Sequence, residues 1–303
     1  MNMHQAILVF GGTGFIGSAL VKILLSKKIT VLVFRHKSTG FLSEIENRSL
    51  VFFDSFEDEV LRKYEILTAY HLASQQTAGK SLYNDFHNGN VTPTVKIVEL
   101  LKNIPIRHLV YVSTTSVFFK SEYCLPMSEG TTPNPTNYYG LTKYISERIL
   151  AIECKEIDVK ISIVRLPSVF GVNSGGGLIE TLYQESIRDK DIEVFSNGQR
   201  FRNIMHVDSV VELLYLFMKS YEKLEKFEIF MGGSKDSEKL INIAKKIVIL
   251  TNSNSKIIPI DRSPPLDIDV CVDISKAKKV LGFKPMSIED GLKKYIEEEY
   301  EKI

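Results

Sequence analysis

The stretch "ILVFGGTGFIGSAL" (Ile7–Leu20) joins an apolar run rich in β-branched residues to a helical pattern through glycines at 11, 12, 14 and 17. Four to five buried apolar residues followed by a glycine-rich turn and a helix is a strand–turn–helix unit. The glycines permit a tight turn and let the backbone come close to a bound group. The helix start adds free N–H groups and the positive end of its dipole. In this setting the backbone of Gly11, Thr13, Gly14, Phe15, Ile16 and Gly17 forms a cradle suited to a pyrophosphate.

Outward from this turn, "TVLVF" (Thr30–Phe34), "LVFF" (Leu50–Phe53), "TAYHLA" (Thr68–Ala73), "HLVYVST" (His108–Thr114) and "KISIVRL" (Lys160–Leu166) continue the strand pattern. Their near-continuous hydrophobicity is what strands covered on both faces require. Helical patterns lie between them, over Gly17–Lys28 and Asn90–Asn103. This alternation predicts a doubly wound parallel α/β sheet over residues 1–170. After residue 170 the rhythm loosens into helices, short strands and Gly/Ser/Pro-rich loops such as "NSGGG" (Asn173–Gly177), read as a smaller C-terminal lobe over 171–303, with part of the chain crossing back.

With 38 Lys and Arg against 37 Asp and Glu, the formal charge of the 303-residue chain is +1, which gives no electrostatic sign of nucleic acid or membrane partners. No apolar run approaches the roughly 20 residues a bilayer span needs, and the start carries no signal-peptide pattern. The three cysteines, Cys124, Cys154 and Cys271, have no metal-ligand spacing and are expected to be reduced thiols. A cytoplasmic protein without a metal is the expectation.

The end of the second strand bears on the choice of dinucleotide. An Asp or Glu about 20 residues beyond the turn bonds the ribose hydroxyls in NAD sites. Here "VFRHKS" places Arg35 and Lys37, with no carboxylate before Glu44. A guanidinium suits a 2′-phosphate, so NADP(H) is favoured over NAD(H). The alternative is a solvated strand-end arginine that stacks on adenine. Asp54, after the third strand, reads either as an adenine partner or as a loop cap.

"NYYGLTK" (Asn137–Lys143) holds the candidate catalyst. Only Tyr139 has a lysine four positions on, Lys143, which on a helix shares its face about 6 Å along the axis. A nearby ammonium favours the phenolate of a tyrosine whose ordinary pKa is about 10. Tyr138 has Thr142 at that offset and gains nothing comparable.

With these motifs in order, the chain resembles the extended short-chain dehydrogenase/reductase family of nucleotide-sugar epimerases, dehydratases and keto-reductases, over nearly its whole length. "GGTGFIG" is similar to the family's turn, "AYHLAS" to its fourth-strand signature, and "NGNVTPT" to the Asn-Val segment of the next helix. "YVSTTSVF", "RLPSVFG", "NGQRFRNIMHVDSV" and "DISKAKKVLGFKP" resemble later family segments. The resemblance implies a Rossmann sheet with a substrate-binding lobe. It implies Tyr139 as general acid/base, Lys143 as its electrostatic partner and Thr114 as the group bonding the substrate oxygen. It also implies that Leu72, Ala73, Ser74, Asn90 and Pro167 line the cofactor, while Thr115, Ser168 and Arg202 meet the substrate. Arg202 reads equally as half of an internal salt bridge, with Asp208 the candidate partner, and His206 as a packed structural histidine.

Two departures narrow the activity. Ser168 stands where family members carry an Asn beside the substrate phosphate. Thr115 and Ser116 stand where 4,6-dehydratases carry an Asp-Glu pair, which argues against a dehydratase. The leading expectation is an NADPH-dependent reductase of a 4-keto-6-deoxy nucleotide sugar. The alternatives are a nucleotide-sugar 4-epimerase with retained NAD and a non-catalytic dinucleotide sensor. The family also implies a homodimer through the helices beginning near Asn90 and Tyr138.

Overall fold

The computed structural model describes residues 4–36, 38–76, 82–118, 126–263 and 267–301. Its first half runs β1 (His4–Phe10), α1 (Phe15–Ser26), β2 (Val31–Phe34), β3 (Leu50–Phe53), β4 (Tyr64–His71), the short α2 (Tyr83–Phe86), α3 (Thr92–Asn103), β5 (Ile106–Thr114), α4 (Tyr138–Glu153) and β6 (Lys160–Leu166). The second half runs β7 (Ser168–Phe170), α5 (Leu178–Ser186), β8 (Ile192–Phe195), β9 (Phe201–Arg202), β10 (Ile204–His206), α6 (Val207–Lys219), β11 (Phe227–Met231), β12 (Glu238–Lys239), α7 (Leu240–Leu250), β13 (Ile257–Ile260), α8 (Ser275–Leu281) and α9 (Ile288–Tyr300).

Seven strands form one sheet in the order β11-β6-β5-β4-β1-β2-β3, every pair parallel. Alternation along β1 shows why Ala6–Phe10 had to be an unbroken apolar run. Ile7 and Val9 enter the core shared with α1 and α6. Ala6, Leu8 and Phe10 enter the opposite core, with residues of α3 and α4. The expected doubly wound parallel sheet is therefore what the chain builds. A third core gathers Ile179, Leu182, Ile192, Ile243 and Leu292 from α5, β8, α7 and α9. β11 returns to the sheet from beyond residue 171, pairing with β6.

The elements differ from the sequence expectation mainly at their ends. β4 begins at Tyr64, four residues early, because its solvated start pairs with His4 and Gln5 of β1 although neither is buried. It ends at His71, where Leu72 N–H turns back to Phe10 O (2.9 Å). Ahead of α3, His87–Val91 forms one π-helical turn in place of the expected α-helical start. Cys271 is disulfide-bonded, which corrects the expectation of three reduced thiols, whereas Cys154 is free and buried. Cys124 and Lys37 lie outside the described residues. Among the described residues no helix is long and apolar enough to cross a membrane.

One buried ion pair joins α4 to the sheet. Arg165 on β6 donates through Nε and Nη2 to Glu147 of α4 at 3.0 and 2.7 Å, and Ser113 Oγ donates to the same carboxylate at 2.5 Å. Arg165 is 1% and Glu147 2% exposed, so each charge depends on the other. Glu147→Leu is expected to lower unfolding free energy by about 3–5 kcal/mol in urea denaturation, because it strands a buried guanidinium. Adding Arg165→Met should recover most of that loss. An additive double variant would show that the pair is not coupled.

Candidate active site

Between β1 and α1 the chain makes the tight turn that the glycines permit. Gly11 has φ +80°, and a Cβ there would lie 2.5 Å from Ala73 N. A Cβ on Gly17 would lie 2.1 Å from Gly11 O. Gly11 therefore has to be glycine for the turn to rest against the segment after β4, and Gly17 for α1 to pack against the turn itself. Gly14 is the N-cap of α1 and supplies no capping side chain. The helix start is left to offer its N–H groups and dipole to an anion, as a dinucleotide pyrophosphate requires. Phe15 and Ile16 of this turn face the main cavity. Thr13 is engaged differently, since its carbonyl accepts Phe41 N–H at 3.3 Å. The residues present thus fit a dinucleotide.

At the end of β2, Arg35 donates to Asp54 through Nε at 2.8 Å and Nη2 at 2.6 Å. Hydrogen bonding and charge hold the guanidinium above its ordinary pKa and the carboxyl below its own. Both side chains are solvated. The two residues expected to meet the cofactor separately are instead each other's partners.

The cavity, of about 870 Å³, opens where the C-terminal ends of β5 and β6 meet α4 and the start of α5. Asn137 caps α4 by accepting Gly140 N–H at 2.8 Å, which fixes where the helix begins and so where its first turn points. Tyr139 faces the same cavity as Thr114 and Ser74, and burial pushes its pKa up. Tyr138 does not line the cavity. It is 51% exposed, with its ring 5.5 Å from Tyr83 and 6.5 Å from Phe86. Lys143 is 2% exposed, with Nζ 4.2 Å from the centre of the Tyr111 ring. Burial lowers its pKa from 10.5 to about 7, and the Glu147 charge opposes that fall.

Leu72, Ser74, Thr115, Pro167 and Ser168 stand in the same wall as Thr114, Tyr139 and Lys143. Asn90 is 1% exposed and sits behind the wall, holding Ser74 and Gln75. Arg202 is not in the cavity wall. It donates to Ile268 O at 2.7 Å and pairs with Asp267. The salt-bridge alternative named Asp208, but Asp208 instead pairs with Lys294 at 3.0 Å. His206 is a buried packing residue, its ring 5.4 Å from Phe170. Sequence reading missed Phe41, Gln76 and Asn137 in the wall. Of these, only Asn137 carried a signal, as an N-cap residue type directly before a helix.

A model of the NAD dependent epimerase/dehydratase family matches residues 7–233. The UDP-glucose 4-epimerase of Lactobacillus helveticus is 26% identical over 306 residues, covering 92% of each chain. Among solved structures, the UDP-glucose 4-epimerase of Thermotoga maritima with UDP-glucose has a TM-score of 0.86 at 24% identity, covering 98% of this chain and 99% of that one. The UDP-glucuronic acid 4-epimerase of Bacillus cereus, in complex with UDP-glucuronic acid and NAD, has a TM-score of 0.85 at 23% identity, covering 99% and 100%.

These neighbours correct the expected preference for NADP(H), because those with a dinucleotide in complex hold NAD. The physical reason lies at Arg35. Its fork is already filled by Asp54, and a 2′-phosphate would have to displace that carboxylate and then sit beside its charge.

The Lys143 value sets a pH dependence of stability. In the unfolded chain its proton leaves near 10.5, in the folded protein near 7. Between those values the unfolded chain binds more protons, so this contribution to stability rises with pH. Without added cofactor, Lys143→Met should therefore be more stable than the parent below pH 7, by about 3–5 kcal/mol. That gap should close as pH approaches 10.5, as read by denaturation at a series of pH values. A pH-independent gap would contradict the buried charge.

Proposed function

The chain belongs to the NAD-dependent epimerase/dehydratase family, and on that premise we propose that it is a nucleotide-sugar 4-epimerase that works with NAD. The observation that carries this reading is the cavity wall. Thr114 and Tyr139 face one space, and Lys143 is the one charged side chain among its described lining residues. Among the described lining residues there is no carboxylate to serve as acid or base for eliminating water, and Thr115 and Ser116 stand where the resemblance places that pair in dehydratases. The reductase reading drew its support from an NADPH signal at Arg35, and that side chain is committed to Asp54. The relatives' names agree with an epimerase on UDP-linked sugars.

NAD, when bound, supplies a reversible acceptor for the hydride of the sugar carbon. The protein's part is to hold and move a proton. Thr114 holds the C4 oxygen by a hydrogen bond, and Tyr139 as phenolate takes the hydroxyl proton. Lys143, when charged, favours that phenolate across the helix face they share. After the keto sugar turns its other face, Tyr139 returns the proton to the same oxygen, so no net proton is exchanged with solvent. We extend the proposal to a homodimer through α3 and α4, which leave Val95 40% and Ile152 59% exposed.

Incubated with UDP-glucose and NAD, the purified protein should form UDP-galactose without net growth of reduced-nicotinamide absorbance. Stoichiometric oxidation of NADPH by a 4-keto sugar, with no epimer formed, would overturn the proposal. Tyr139→Phe should lower kcat by at least about 10³-fold while leaving NAD affinity within a few-fold, whereas Tyr138→Phe should stay near the parent. The reverse pattern would show that the other tyrosine is the proton carrier.

A further inference from the structure

Among the described residues, Phe41 is the one large hydrophobic side chain that is both exposed, at 45%, and part of the cavity wall. Apolar residues scattered singly over a convex surface are ordinary and need no explanation. An exposed aromatic ring inside a concave wall is a different case, because a ligand filling the cavity covers it.

The backbone fixes this residue from both sides. Gly40, Phe41 and Leu42 make a single 3₁₀ turn. Gly40 has φ +51°, and a Cβ there would lie 2.3 Å from Thr13 O, so this turn rests directly on the glycine turn between β1 and α1. Phe41 N–H donates to the same Thr13 carbonyl at 3.3 Å. On the other side, Leu42 is 1% exposed and enters the core that holds Leu20, Val21 and Leu24 of α1. Leu42 N–H closes on Thr39 O at 3.0 Å, and Ile45 N–H on Leu42 O at 3.2 Å. Phe41 is therefore set between a close backbone approach and a buried anchor. Nearly half of it is left uncovered by protein, in the same wall as Phe15 and Ile16 of the glycine turn.

An epimerase of the kind proposed leaves a hydride on its dinucleotide and has to return it to the same sugar. The reduced dinucleotide must stay bound while the keto sugar turns. The Arg35 guanidinium is committed to Asp54, so it is not free to add a charged hold. An apolar contact beside the glycine turn holds the dinucleotide without charge.

We propose that Phe41 is a retention residue for the dinucleotide, its ring packing on bound NAD beside the glycine turn and slowing release. The proposal rests on the reading of the protein as an epimerase that works with NAD. It adds the group that keeps the cofactor in place between the two hydride transfers.

The experiment loads the purified protein with NADH, adds excess NAD as a trap, and follows the loss of bound-NADH fluorescence by stopped flow. Phe41→Ala should release NADH about tenfold faster than the parent, as losing half of a phenylalanine's burial implies. Phe41→Leu should fall between them, and Phe41→Tyr, which keeps the ring, should match the parent. The cofactor-free Ala variant should unfold within about 2 °C of the parent, because the side chain is already half exposed. If Phe41→Ala does not fold, the contrast between the Leu and Tyr variants carries the same test. Equal release from parent and Ala, release from Tyr as fast as from Ala, or a parent that holds no NADH would overturn the proposal. So would a large fall in the Ala unfolding midpoint, which would mark a packing role. No sugar enters the measurement. Tenfold faster release from Ala by a protein that does not interconvert UDP-glucose and UDP-galactose would sink the epimerase reading and leave the Phe41 contact standing.

Discussion

The Lys143 ammonium is held out of water against a parallel sheet, and much of the surrounding structure answers to that constraint. An isolated buried ammonium is strongly disfavoured. Two groups offset part of the penalty: the face of the Tyr111 ring, 4.2 Å from Nζ, and the Glu147 carboxylate one helical turn on. Glu147 can be there only because Arg165 and Ser113 satisfy it in turn. The chain Tyr139, Lys143, Glu147 runs along one face of α4 at intervals of four, so the apolar stripe expected of a packed helix is here partly a stripe of charge. The packing of α4 on β5 and β6 and the proton state of the site are consequently one problem, and changes at any of these positions are coupled.

A second constraint acts through the backbone. The turn at Gly11 touches the chain at Ala73, and the residues just beyond, Ser74 and Gln75, are held by Asn90. Asn90 comes from a π-helical turn, His87–Val91. One extra residue in the turn shifts the facing of the side chains around it. Through the bonds of Asn90 to Thr142 and Ser146, the glycine turn and α4, the helix that carries Tyr139, therefore share a strut.

Much of this was legible in the sequence because it depends on local pattern. Uninterrupted apolar runs in β1, β2 and β5 could only be strands covered on both faces, and the Tyr139–Lys143 spacing needs nothing but helical geometry. What was not legible depends on pairing across the fold. Arg35 meets Asp54 from the end of the next strand, 19 residues away, and Arg202 meets Asp267 across 65. A charge read alone looks available for a ligand, and only the sheet order reveals that it is taken. The disulfide at Cys271 was missed for the same reason, since scattered cysteines carry no spacing signal. β4 began early because backbone pairing continues where hydrophobicity has ended.

For the 4-epimerase proposed above, the same commitment of charges bears on how one site could serve both epimers. A fixed cation or carboxylate beside the sugar would favour one orientation of its hydroxyls, because charge-assisted hydrogen bonds are directional and strong. The described wall offers hydroxyls, amides and backbone groups, from Thr114, Thr115, Ser116, Ser168 and Gln76. Hydroxyls donate and accept by rotation, so a turned sugar can trade one set of bonds for another of similar strength. The Arg202 guanidinium, bound to Asp267 and Ile268 O, leaves that neutrality intact. On the epimerase proposal, the scarcity of fixed charge among the described lining residues lets the keto sugar present either face to Tyr139. Lys143 is the one charged side chain among the described lining residues, and it shares the helix face of Tyr139.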